Sequence, residues 1–319
     1  MKRILSLILV LVLSLTCLAA CGAPETPETP ADPTYYVAIA TESVVLSSKG
    51  GAKLGNNFAV VIFDEAGKIV AAKFDSTEIN APTLDETGAV VSQTIASKVE
   101  SDYKKGQMAA TWGEQADAFA AHIKGMTAAQ VEALEITNEL IAGCTMVSTS
   151  YSSALNLQAL VVKAYASAKK ASFTSATTDF KLGAGMQVSV SKGWSGVAVT
   201  ADCAGAVLDA NGNVITAVVD TIEQTYTVNA DNTLTLPAIE ESKLAKGDAY
   251  DTTIMPAGRW YSQISAFVNS IKGKTASEVS AIALEANGKF ATDAELYASC
   301  SIKVSGFKAS LEAAIARAN

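Results

Sequence analysis

The chain carries one pattern twice. FDEAGKIVAAKFDSTE, residues 63–78, returns as LDANGNVITAVVDTIE, residues 208–223. Asp64, Gly67, Asp75 and Glu78 thereby fall on Asp209, Gly212, Asp220 and Glu223 at a constant offset of 145. Trp112, Phe119, Lys124, Gly125, Thr127 and Val131 return as Trp260, Phe267, Lys272, Gly273, Thr275 and Val279, at an offset of 148. ELIAGCT (139–145) returns as ELYASCS (295–301), at an offset of 156. The drift is what small insertions in loops produce. Such a repeat constrains the fold more than composition does, because what one copy forms the other is expected to form as well. Two copies of this length are too few for a solenoid, and each can bury a core. The expectation is two homologous tandem domains, residues 35–172 and 178–319, joined by a linker at 173–177 within the small polar run ASFTSATT.

Within each copy, strands come first and helices follow, which predicts an α+β class with an antiparallel sheet and packed helices. Residues 36–40 and 43–47 are β-prone. Asp64 to Gly67 and Asp209 to Gly212 stand between apolar runs, a hairpin signal. Helical apolar spacing covers 112–123 and 259–271. Lys124-Gly125 and Lys272-Gly273 read as helix stops. Thr127 with Gln130, and Thr275 with Glu278, fit capping boxes, the hydroxyl and the residue three later satisfying free N–H groups. Closing helices are predicted at 155–169 and 307–318.

The front of the chain predicts its compartment. Lys2 and Arg3 precede an apolar run over 4–18, which is too short for a membrane span of about 20 residues. Leu18-Ala19-Ala20-Cys21 closes it. This is the anatomy of a secretion signal, and its end resembles a bacterial lipobox. By that resemblance residues 1–20 are removed and Cys21 is lipidated, with diacylglyceryl and palmitate-type chains holding the protein to the membrane. The expected location is the extracytoplasmic face of the cell membrane. Residues 21–34 hold five Pro or Gly and no large apolar side chain, so they read as an extended tether.

Losing Lys2 and Arg3 takes the basic residues from 24 to 22 against 32 acidic ones, and the net charge from −8 to −10. That acidity argues against nucleic acid as a partner. Cys144, Cys203 and Cys300 show no zinc spacing and read as small buried apolar side chains. His122, the one histidine, reads as a surface or half-buried helix residue.

The DxxGx[I/V] hairpin, the acidic residues after it and the late E-L-x-A-x-C-[T/S] segment resemble the FMN-binding domain, found in a sodium-pumping quinone reductase subunit and in flavinylated extracellular lipoproteins. The family's late motif reads roughly D-x-x-[S/T]-G-A-[T/S], and its last hydroxyl is esterified to the FMN phosphate. The resemblance implies an FMN-binding-domain-like fold. It implies FMN as cofactor, with Thr145 and Ser301 as acceptors and Gly143, Cys144, Ser299 and Cys300 in the turns before them. The leading Asp is Glu139 and Glu295 here, and the motif Gly survives only as Gly143. The chain is also similar to uncharacterised lipoproteins of anaerobic Gram-positive bacteria.

Each of these residues has a plainer reading. Thr145 and Ser301 read equally as turn hydroxyls bonded to backbone. Trp112 and Trp260 read as core, or as platforms for a flat ring. Asp75, Asp220, Glu78 and Glu223 read as solvated strand ends, or as ligands for a cation or for hydroxyls. No catalytic constellation is visible, so any redox role is that of a carrier passing electrons to a redox partner. The functions left open are an extracellular flavin electron relay, a lipoprotein binding a non-flavin small molecule or peptide, and a structural surface lipoprotein.

Overall fold

Strand β2 (Gly51–Asp64) shows why this chain builds layers. Phe58, Val60 and Ile62 alternate with Ala59, Val61 and Phe63, and all six are buried. Alternate residues of a strand face opposite sides of its sheet, so both sides of this sheet are covered. The computed structural model describes residues 31–48, 51–91, 93, 95–104, 110–137, 140–141, 153–193, 196–236, 238–252 and 257–319. Cys21, most of the tether, Gly143, Cys144 and Thr145 lie outside these. Residues Pro33–Asn319 form one compact unit.

The first sheet begins as a meander. Strand β1 (Thr34–Ser48) pairs antiparallel with β2, and β2 with β3 (Ile69–Asn80). The β2–β3 turn closes as the sequence predicts: Gly67 sits at φ 74° and Asp64 Oδ1 accepts from the Lys68 amide at 2.8 Å. Farther along, β7 (Lys181–Lys192), β8 (Val197–Leu208) and β9 (Val214–Val228) repeat the meander. Gly212 sits at φ 86°, and Asp209 Oδ1 accepts from the amides of Asn211 and Asn213. Even the bulges coincide. Register shifts at Ile62/Phe63 in one sheet and at Val207/Leu208 in the other, 145 residues apart.

The fourth strands differ. The junction, expected as a linker, contributes β6 (Ala171–Thr174), which pairs antiparallel with β1. Phe173 there packs with Tyr35 and Phe180, ring centroids 5.5 and 5.1 Å away, so an aromatic cluster fixes the connection in place. In the second sheet the short β10 (Leu234–Thr235) pairs with Val228 and Thr227 of β9. The orders are β3-β2-β1-β6 and β10-β9-β8-β7, with a separate two-stranded ribbon of β4 (Ile136–Thr137) and β5 (Leu140–Ile141).

Helices cover the outer faces. Trp112, Ala116, Phe119 and Ile123 of α1 (Trp112–Ile123), Val131 of α2 (Ala128–Glu132) and Leu157, Leu160, Val161 and Ala164 of α3 (Ser153–Ala166) pack on Ala59, Val61 and Phe63. Opposite them, α5 (Trp260–Ile271), α6 (Ala276–Ser280) and α7 (Ser305–Ala316) pack on Ala204, Ala206 and Leu208. The short α4 (Lys243–Lys246) runs into a 3-10 turn at Gly247–Thr252. Both predicted capping boxes form, Thr127 with Gln130 and Thr275 with Glu278, and Gly125 and Gly273 end their helices at positive φ. Among the described residues no helix is long and apolar enough to cross a membrane.

The two sheets then meet face to face. Val37, Ile39, Phe58, Val60 and Ile62 share one core with Leu182, Met186, Cys203, Val207 and Ile222. The layers therefore run helix, sheet, sheet, helix. Strand β1 lies over β9, β3 over β7, and β2 over β8. This is the self-complementary pairing of a twofold dimer, made inside one chain. At its centre Val60 meets Gly205, the same repeat position: a Cβ on Gly205 would stand 2.4 Å from Val60 Cγ1.

Candidate functional site

The late motif of the second half is folded inward. Ser299 is exposed at the end of a 3-10 turn, Glu295–Ala298. Cys300 is fully buried as a free thiol, and burial pushes its pKa up to about 11. Ser301 is 6% exposed. Its amide and its hydroxyl both donate to Gln263 Oε1 of α5, at 2.8 and 3.1 Å. Gln263 Nε2 in turn donates to the Gly258 carbonyl at 2.7 Å. Ser301 thus ties its loop to α5, with its hydroxyl engaged inside the protein. Trp112 and Trp260, each 4% exposed, belong to the cores under α1 and α5. His122 is half-buried on α1.

The recurring aspartates overturn the solvated-strand-end reading. Asp75 and Asp220 are 0% and 1% exposed and face the layer between the sheets. Each is clamped alike. Asp75 Oδ1 accepts from the amides of Ser76 and Val99, and the Ser97 hydroxyl bonds the same carboxylate. Asp220 Oδ1 accepts from the amides of Thr221 and Leu244, with the Ser242 hydroxyl in the place of Ser97. The second oxygen of each reaches across to the other half. Asp75 Oδ2 pairs with Arg317 Nη1 at 3.0 Å, and Asp220 Oδ2 accepts from Thr41 Oγ1 at 2.7 Å. Burial raises both carboxyls against those donors, Asp220 to about 6. Burial, then Asp220, Asp202 and Asp75, push the Cys203 thiol well above its usual range, which keeps it protonated and unreactive.

The same downstream segments place a lysine over two rings in each half. Lys98 Nζ lies 4.9 Å from the Tyr103 ring centre and 5.8 Å from Trp112. Lys243 Nζ lies 5.1 Å from Tyr250 and 5.8 Å from Trp260. Strand and helix periodicity does not mark this element. Its signal was Ser97-Lys98-Val99 recurring as Ser242-Lys243-Leu244 at the offset of the aspartates.

Here the halves diverge. Lys98 is neutralised by Glu78 at 3.0 Å, and Tyr103 donates to the same carboxylate at 3.2 Å. Lys243 has no ion pair with a described residue, and Glu223 is exposed and bonded to Thr200 instead. Lys73 on β3 is joined to Asp117 on α1 at 3.0 Å, bridging sheet edge to helix. The matching positions in the second half are Val218 and Ser265, and there a cavity of about 230 Å³ lies open. Its floor is Thr216 to Val219 of β9, a stretch that β10 does not cover. Tyr261, Ile264 and Val268 of α5 form one wall, and Lys169 and Ala171 from the end of the first half form another. Lys169 Nζ stands 4.5 Å from the Tyr261 ring centre. A small recess lined by Lys243, Tyr250 and Trp260 shares Lys169, Leu244 and Tyr261 with it.

Against known proteins, the chain matches no family model, no curated protein and no solved structure.

Proposed function

We propose that the protein is a lipid-anchored extracytoplasmic binding module, in which the second half takes a small molecule and the first half serves as its structural partner. The anchor is Cys21, and the two halves descend from one ancestral domain. One observation carries the binding assignment. At matching positions Lys73 and Asp117 bridge β3 to α1, whereas Val218 and Ser265 line an open cleft. The cleft sets apolar side chains such as Val218, Ile264 and Val268 beside converging polar groups from Lys169, Thr216, Asn269 and Lys272, the ingredients of a small-molecule site. At about 230 Å³ it lies below the roughly 300 Å³ at which sites for drug-sized ligands begin. The occupant is therefore metabolite-sized and smaller than FMN. An FMN ester on Ser301 would need the hydroxyl to leave Gln263 and the interior.

The test restores the first half's bridge in the second. Val218→Lys with Ser265→Asp fills the cleft with an ion pair the fold already accommodates. Native mass spectrometry of the exported protein should show a bound small molecule in the wild type and none in the double variant. A ligand retained equally by both would place the site elsewhere. Flavin absorbance, with the mass of FMN on the peptide holding Thr145 or Ser301, would return the electron-relay reading.

A further inference from the structure

We infer that the cleft between α5, β9 and the first half's β6 selects a small organic anion, its acidic head at Lys169 and Lys272 and its apolar body against Val218, Leu244, Ile264 and Val268. The inference rests on the binding reading above and specifies its ligand. The chain as a whole is acidic, net −8, yet the side chains around the cleft include Lys169, Lys272 and, in the adjoining recess, Lys243, with no Asp or Glu among them. None of these three lysines is in an ion pair with a described residue. Of their first-half counterparts, Lys98, which matches Lys243, is paired with Glu78, whereas Lys124, which matches Lys272, is exposed and has no ion pair with a described residue. Lys169 and Lys272 thus stand on the cleft lining with no acidic side chain beside them in it, while Lys243 in the recess also feels the buried Asp202. A cleft lined by one sign of charge attracts the opposite sign and rejects its own.

A second observation concerns the floor. Thr216 is 1% exposed, lines the cleft, and its hydroxyl has no hydrogen-bond partner among the described residues. Leaving a buried hydroxyl unpaired costs about 1–3 kcal/mol. A ligand oxygen or nitrogen at the floor would satisfy it. The matching position in the first half is Ala71, which has nothing to satisfy. Tyr261 completes the asymmetry, standing where the first half has Gly113. It gives a flat apolar wall and holds Lys169 over its ring. The chemistry is thus one cationic end, one hydroxyl at depth, and apolar sides.

Four probes of nearly equal size separate charge from shape: benzoate, phenyl phosphate, benzyl alcohol and benzylamine. Calorimetric titration of the mature protein should show benzoate or phenyl phosphate binding, with benzyl alcohol and benzylamine at least tenfold weaker. Lys169→Gln with Lys272→Gln should cut anion affinity at least tenfold and lower the melting temperature of the free protein only slightly, since Lys272 is exposed and Lys169 gives up one contact with the Tyr261 ring. Whichever of the two anions binds better tells a carboxylate ligand from a phosphate ester. If benzyl alcohol binds as well as the anions, and only Val218→Lys/Ser265→Asp abolishes binding, the cleft stands and its charge preference is overturned. If none of the four probes binds, the inference is overturned, and the native-mass experiment decides separately whether the cleft is a site.

Discussion

Asp220 shows how a single residue escapes a sequence reading. Its recurrence with Asp75 is visible in the sequence, but its environment is not, because for each aspartate one clamping amide comes from the next residue and the other from 24 positions downstream. Distance along the chain hides such a partner, whereas the Asp64 turn bond spans four residues and was legible. The carboxyl's pKa, pushed by burial to about 6, is higher folded than the ordinary 3.8. A folded state that holds the proton more tightly gains stability as pH falls from about 6 towards 4 and loses it as pH rises back. Asp220→Asn keeps the shape and donates to Thr41 in place of accepting. Thermal melts from pH 7 to pH 4 should show that contribution in the wild type and its loss in the variant. Parallel curves for the two proteins would show that Asp220 does not titrate in this window. Ser301 is a second residue whose neighbour hid its role. Ser301→Ala should cost about 1 kcal/mol in urea unfolding, the usual net value of one hydrogen bond, and no more.

Elements closed by local chemistry were readable. The hairpins, the two capping boxes and the glycine helix ends all rest on residues within a few positions of each other. Strand β6 was not, because its reason lies in Tyr35 and Phe180 rather than in its own small polar residues. The pairing of β2 with β8 was equally hidden. Nothing in either strand announces that Val60 will face Gly205, the second half's residue at the same place. Two valines there would collide, so the interface is committed to unlike halves. Gly205→Val should destabilise by about 1–3 kcal/mol through overpacking. Adding Val60→Gly should recover most of that loss, since the swap only trades the two sides. A double variant as unstable as the sum of its parts would show that the axis is not the contact that matters.

At the scale of the molecule, the two halves share a core and exchange polar groups, Thr41 to Asp220 and Arg317 to Asp75. Arg317 also reaches Glu100 at 2.5 Å and the Ala184 carbonyl at 3.4 Å, so it joins both sheets. Removing one member of a buried ion pair leaves the other uncompensated. Arg317→Ala should therefore cost about 3 kcal/mol in chemical unfolding, and Asp75→Asn in the same chain should restore part of it. A loss below about 1 kcal/mol would class the pair with surface bridges. Arg317 stands 242 positions after Asp75. A ribosome delivers them in that order, and so does any export channel that threads the chain from its front. The first sheet thus waits, its inner face of Phe58, Val60 and Ile62 wet, until the second has been made. A nascent chain stopped midway would present that face to its neighbours and aggregate. The first half is in this sense a client of its successor, which covers that face.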